Sequence, residues 1–291
     1  MQPLPRFWAH ENRTVAGVDE AGRPREFALS QWGGSLRSLE DAAAVARRRL
    51  EDLARHVAGG PLPSDWYYPA RVVREEVLED VVGPDGALLG QITRNRYGAQ
   101  VLNTDAVLIA DIDLPAPARR RRGLRGLFGA ARETPAADPA EQTAREGIAA
   151  FAAHHPGWGV RTHRTAGGFR VLVTGTGAAP TDAEAERILA ELASDPLFVR
   201  LCAAQGTYRA RLTPKPWRIG VRGPASGLRW PVDGERESRY RAWVEDYSRR
   251  SVPWAVCRRE GWNGVAPSAA EQRVLELHDR MTGADSGAAL A

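Results

Sequence analysis

Lysine is all but missing from this chain: among 291 residues and 40 basic side chains, only Lys215 is not an arginine. A GC-rich coding bias suffices to explain the arginine excess, yet the excess has a chemical consequence. Guanidinium is a planar, permanently charged fork suited to phosphate, so the formal charge of +4 rests on phosphate-seeking groups. A single surviving lysine marks a place where a compact ammonium is useful. Cysteine is almost as scarce. Cys202 and Cys257 stand far apart without CxxC spacing. That pattern argues against a disulfide framework and a cysteine-based zinc centre, and predicts two idle thiols in a reducing cytoplasm. No stretch reaches the roughly 18 apolar residues that a membrane span requires. The opening MQPLPRFWAHENR lacks the apolar segment of a secretory signal. GxSxG, GxGxxG and P-loop patterns are missing too, which removes the signatures of hydrolase, dinucleotide and P-loop chemistry.

What is present reads as an α+β protein. Strand-like pieces between Arg6 and Leu29 flank a turn at Asp19–Arg23, and Trp32-Gly33-Gly34-Ser35 leads into a helix. Ser38 and Asp41 fit its start, and Leu36, Leu39, Ala43, Ala46, Leu50, Leu53 and Val57 form its apolar stripe. Arg71 to Val82 is ambiguous between strand and helix. Gly83-Pro84-Asp85-Gly86 is a turn, and Ala87 to Arg94 is a returning strand. Asp105 to Asp113 is apolar on both faces until its end, as expected of a strand lying between other strands. Pro115 to Asp138 is rich in Arg, Gly, Pro and Ala and reads as a flexible basic loop. Asp138 and Pro139 open a helix to about His154. Trp158–Thr165 and Phe169–Thr174 form a glycine-turned hairpin. A helix follows from Thr181, then another from Ser194-Asp195-Pro196, then a strand at Thr207–Leu212. This order predicts a split β-α-β-β-α-β (ferredoxin-like or RRM-like) core at residues 101–220. An N-terminal β/α segment (1–100) precedes it, and C-terminal helices (221–291) follow, at about Glu235–Arg250 and Ser268–Thr282. His278-Asp279 reads as a helix-surface pair, and no histidine spacing points to a metal.

Three stretches carry chemistry. Asp111 and Asp113, two apart on a strand, share a face about 6.6 Å apart along it. Their hard oxygens suit Mg²⁺ or Mn²⁺, one ion or two. The hairpin gathers His163, Arg164, Thr165, Gly167, Gly168 and Arg170, where freed backbone amides and Arg170 are candidates for phosphate. Arg211 and Lys215 follow, the latter stiffened between Pro214 and Pro216.

Those stretches, in that order, resemble the catalytic core of archaeo-eukaryotic primases and primase-polymerases. The likeness covers about Asp105 to Trp217. Leu108-Ile109-Ala110-Asp111-Ile112-Asp113 is similar to the family's strand ending in two acids. Thr165-Ala166-Gly167-Gly168-Phe169-Arg170 is similar to its S/T-x-x-G-x-H hairpin, with Arg170 where the family has histidine. Arg211-Leu212-Thr213-Pro214-Lys215 is similar to its basic stretch. The resemblance implies a two-metal nucleotidyltransferase acting on nucleoside triphosphates and DNA or RNA. Asp111, Asp113 and a third acid would be catalytic; Asp195 is nearest and Asp233 the alternative, although Asp195 also reads as a helix cap. A noncatalytic nucleotide- or nucleic-acid-binding module with a degenerate site is the other reading, weakened by the lack of an RNP-type aromatic pattern. The chain also resembles an uncharacterised bacterial protein family, which adds no function.

The basic loop generates one prediction independent of the core. Arg119, Arg120, Arg121, Arg122 and Arg125 are candidates for nonspecific contact with DNA or RNA. Replacing all five with serine is expected to flatten the slope of log K against log salt by up to about 4 on duplex DNA. An unchanged slope in a salt titration of binding excludes the loop from the interface.

Overall fold

The computed structural model describes residues 1–18, 22–59, 73–115, 138–232 and 234–291. The arginines at 119–122 and 125, and Asp233, lie outside the described residues. Within them the protein is mixed α and β, with six α-helices and several antiparallel sheets. None of these helices is long and apolar enough to cross a membrane.

The chain opens with a hairpin, β1 (Phe7–Val18) and β2 (Pro24–Ser35), paired along its whole length. Helix α1 (Leu39–Gly59) follows, its start capped as expected by Ser38 Oγ accepting from the Asp41 amide at 3.1 Å. Ala46, Leu50, Leu53 and Val57 are buried, but Leu36 and Leu39 are exposed and Ala42 takes the contact instead. The reason is Gly33. A methyl group there would sit 2.0 Å from the Ala42 carbonyl, so helix and hairpin touch backbone to backbone.

The ambiguous segment is a strand, β3 (Glu76–Val82), forming a meander with β4 (Leu88–Arg94) and β5 (Gln100–Thr104). After a short bend come β6 (Leu108–Asp113), α2 (Pro139–His154), β7 (Gly159–Thr165), β8 (Gly168–Thr174), α3 (Ala183–Glu191), α4 (Pro196–Gln205) and β9 (Tyr208–Arg211). The C-terminal part holds α5 (Gly234–Ser251), β10 (Trp254–Ala255), β11 (Cys257–Gly264), α6 (Ala269–Thr282) and β12 (Ala289–Leu290).

One four-stranded sheet has the order β11-β7-β8-β6, the other β3-β4-β5-β9. Two expectations are corrected here. The last core strand, β9, does not join β6; it pairs antiparallel with β5, Thr104 opposite Tyr208. The C-terminal segment is not purely helical, because β11 adds an edge strand beside β7. Consequently β6 ends its sheet rather than lying between strands. It is nonetheless buried at Val107, Leu108, Ile109 and Ala110, because both sheet faces are covered. Alternation along β8 turns Phe169, Val171 and Val173 to one face and Arg170 and Leu172 to the other. Helix α2 covers the first face: its Arg145 lies over the Phe169 ring, and Ile148 and Phe151 join the core. Helix α6 covers the second, with His278 3.4 Å from Arg170.

Helix α5 braces the other sheet. Glu76 on β3 accepts from the Tyr240 hydroxyl at 2.8 Å and from Arg241 at 2.5 Å. Arg94 lies 3.4 Å from the same carboxylate.

Gly168 sets the closeness of β6 and β8. A Cβ at Gly168 would lie 1.9 Å from the Ile112 carbonyl. Gly168→Ala is therefore expected to destabilise by about 1–3 kcal/mol through overpacking. Gly147→Ala, in α2 with open space around it, is expected to stabilise by up to about 1 kcal/mol. Denaturant midpoints of the two variants check this. A Gly168→Ala midpoint equal to wild type would show that the strands separate freely.

Candidate functional site

Asp111 and Asp113 project from the end of β6, with Ile112 buried between them. Pairing places Asp111 opposite Arg170 on β8, Arg170 opposite His163 on β7, and His163 opposite Arg259 on β11. One polar row thus crosses the sheet. Arg170 Nε is 3.7 Å from Asp111 Oδ1.

The free edge of β6 is closed by the turn before α4. The Asp111 amide donates to Ser194 Oγ at 3.2 Å, and the Asp195 amide donates to the Asp111 carbonyl at 2.9 Å. Asp195 is thereby tied by its backbone to the end of β6. Its Oδ1 accepts from the Phe198 amide at 2.8 Å, so Asp195 is also the helix cap that its sequence context predicts. Asp113 lies at the exposed end of the strand, yet the surrounding protein excludes enough water to raise its carboxyl pKa. The charges of Asp111 and Asp195 add to the rise, against the pull of Lys215 and Arg211.

Cations meet these acids from the segment after β9. Leu212 donates to the Gln100 carbonyl, and the Gln100 amide to Thr213 Oγ1, both at 2.8 Å. The Tyr247 hydroxyl of α5 donates to the Pro214 carbonyl at 2.6 Å. A fixed backbone therefore presents Arg211, Lys215 and Arg218. Burial lowers the Arg211 pKa to about 10, helped by neighbouring Arg170, so it stays charged at pH 7. Burial also lowers Lys215, followed by repulsion from Arg211 and Arg218 and offset by Asp113 and Asp111. Among the described residues, Arg170 Nε and Arg211 Nε are buried without a hydrogen-bond partner. Arg218 escaped the sequence reading. Its signal is its place three residues past Lys215 in a 3-10 turn, Pro216–Ile219, started by proline.

The hairpin delivers less than expected. Arg164 points to the α2 face, where it pairs with Glu141 at 2.9 Å. His163 is fully buried, with Nε2 2.7 Å from Asp279 Oδ1. Thr165 Oγ1 accepts from the amides of Gly167 and Gly168, at 3.3 and 3.0 Å, so these amides close the turn instead of cradling phosphate. Gly167 does border the acids: a Cβ there would be 3.7 Å from Asp113 Oδ1 and 3.5 Å from an Arg218 nitrogen. Of the hairpin candidates, only Arg170 and Gly167 reach the cluster.

Beneath Arg170 lies a second polar group. His278 and Asp279 are buried, not on the helix surface. His278 Nδ1 is 3.0 Å from Asp279 Oδ1, and Arg161 donates to Oδ2 at 2.8 Å. Burial alone would raise the Asp279 carboxyl, but hydrogen bonds from His163 and His278 prevail and hold it below the usual range. Burial lowers both imidazoles, His278 to about 3. Cys257, fully buried on β11, completes the group, and a ligand atom from each of His163, Cys257 and His278 lies within 4.8 Å of the other two.

Asp195 has two separable roles, charge and cap. Asp195→Asn is expected to leave thermal stability within a few tenths of a kcal/mol, while Asp195→Ala loses about 1 kcal/mol. Equal losses in the two variants, measured by denaturant unfolding, would show that the carboxylate charge and not the cap is the stabilising feature. No family model matches the chain, and no curated protein or solved structure matches it.

Proposed function

We propose that this chain is a nucleotidyltransferase of primase-polymerase type, taking a nucleoside triphosphate and a DNA or RNA primer. The observation that carries the reading is the Asp195–Asp111 backbone bond, which ties the segment bearing a third acid to the end of β6. Facing them are Arg170, Arg211 and Lys215, with Arg218 alongside. Carboxylates next to a fixed basic surface match a metal-bound triphosphate, whose cation and phosphates need opposite partners. The order β6, β8, β7 is also that of the first, third and second strands of a split β-α-β-β-α-β sheet, although β9 departs from it.

The donor type suits Mg²⁺ or Mn²⁺: carboxylate oxygens at a solvent-accessible strand end, mutually repelling when no cation is there. Asp111 and Asp113 would hold the ion, with Asp195 Oδ2 left over from capping. Bound there, a divalent cation supplies charge neutralisation to the triphosphate and its leaving group. Arg211 and Lys215 bind and orient the phosphates through charge and N–H donation. Arg170 contributes its charge from below, its Nη1 being engaged by the Arg211 carbonyl at 2.9 Å. In the transfer, the primer hydroxyl loses its proton to solvent, its oxygen bonds to the α-phosphorus, the bond from that phosphorus to the bridging oxygen breaks, and pyrophosphate leaves.

A second reading, a nucleotide-binding module without catalysis, is favoured by one feature: Arg170 is committed to protein contacts where the family resemblance calls for a phosphate-binding histidine. Calorimetry and primer extension separate the two. With Mg²⁺, Asp111→Asn/Asp113→Asn is expected to weaken triphosphate binding at least tenfold, about 1.4 kcal/mol. Equal affinity in wild type and double variant rejects the site. Binding without incorporation into a primer rejects the polymerase and leaves the binding module.

A further inference from the structure

We propose that His163, Cys257 and His278 form a binding site for a borderline-soft transition-metal ion, zinc by chemical class, in the covered face of the β11-β7-β8-β6 sheet. This site is independent of the carboxylates at the strand end and does not rest on the function proposed above.

The three ligands come from three elements. His163 lies on β7 and Cys257 on β11, where Arg259 pairs with His163 and Cys257 stands two residues before it, with Thr165 opposite. His278 comes down from α6. All three are fully buried. Their candidate ligand atoms already lie within 4.8 Å of one another. A tetrahedral ion with metal–nitrogen bonds of about 2.0–2.1 Å and a metal–sulfur bond of about 2.3 Å keeps ligand atoms about 3.3–3.8 Å apart.

Asp279 prepares the two rings. Its Oδ1 lies 2.7 Å from His163 Nε2 and 3.0 Å from His278 Nδ1. A carboxylate only accepts, so both of those nitrogens carry hydrogen, and the lone pairs fall on His163 Nδ1 and His278 Nε2. This is the carboxylate–histidine arrangement that orients rings around a metal. His163 Nδ1 has no hydrogen-bond partner among the described residues, a costly state for a buried acceptor. His278 Nε2 has only a long contact, 3.4 Å from Arg170. A cation supplies what His163 Nδ1 lacks and takes the place of the long Arg170 contact at His278 Nε2. Binding expels the Cys257 thiol proton to solvent, and the resulting thiolate offsets one of the ion's two charges, Asp279 being already paired with Arg161. Nitrogen and thiolate donors select zinc-like ions over Mg²⁺ and Mn²⁺. A surface cavity of about 380 Å³ reaches Asp279, the residue that orients both rings, and Arg161 beside it. Its consequence is structural: one ion pins β11 and α6 to the core sheet.

Cobalt titration of the metal-stripped full chain tests this. One equivalent of Co²⁺ is expected to give a near-ultraviolet thiolate-to-cobalt band with the visible bands of a tetrahedral ion, both displaced by Zn²⁺. Cys202→Ser should keep the signal, and Cys257→Ser should lose the thiolate band. The wild-type titration stands without any variant. Absence of a thiolate band at saturating Co²⁺, with no zinc retained after dialysis, overturns the proposal. So does a folded Cys257→Ser protein that keeps the band.

Discussion

A guanidinium buried inside a sheet must be held from several sides at once, and Arg170 is held by segments far apart in the chain. Its Nη1 donates to the Arg211 carbonyl at the end of β9 and lies 3.4 Å from His278 on α6, and its Nε faces Asp111 on β6 at 3.7 Å. Removing one partner from a buried charge commonly costs about 3–5 kcal/mol. Arg170 therefore fixes where the strand end, the basic segment and the C-terminal helix stand relative to one another. The candidate active site is the exposed end of that arrangement.

The same row of the sheet separates two kinds of donor by depth. At the edge stand carboxylate oxygens, reachable by solvent and flanked by cations. Farther across the sheet, on β7, on β11 and on α6 packed over them, stand imidazole nitrogens and a thiol, all fully buried. Hard oxygen donors and softer nitrogen and sulfur donors attract different ions, so the two regions need not compete. Arg170 lies between them and keeps a positive charge at their boundary.

Strand β9 illustrates how a site can be assembled without the expected sheet. It pairs with β5, which leads directly into β6, and so its continuation still reaches the Asp111–Asp113 end. The backbone of Leu212 to Pro214 is tied to Gln100 and Tyr247, which sets Lys215 beside the acids. On the other edge of β6, Ser194 and Asp195 supply the hydrogen bonds that a neighbouring strand would have made. Covered faces and a covered edge explain why an end strand reads as an interior one.

Much of the local structure was legible in the sequence, because its causes are local. Ser38, Asp138, Asp195 and Ser268 cap helices where hydroxyl or carboxylate precedes the first turn. The glycine turn at residues 166–168 makes a hairpin, and the spacing of Asp111 and Asp113 fixes their shared face. Strands β5 and β11 were missed: β5 is short, and β11, CRREGWNG, carries little apolar periodicity because it is an exposed edge. Partnership was decided only by the tertiary structure. Asp111 and Ser194 are 83 residues apart, and Arg161 and Asp279 are 118. The pattern of α6 marks His278 and Asp279 as polar, and nothing nearby in sequence shows that His163 and Arg161 await them. Burial of a polar side chain depends on a partner brought by the chain's long-range path, and that path is set by the packing of whole sheets and helices.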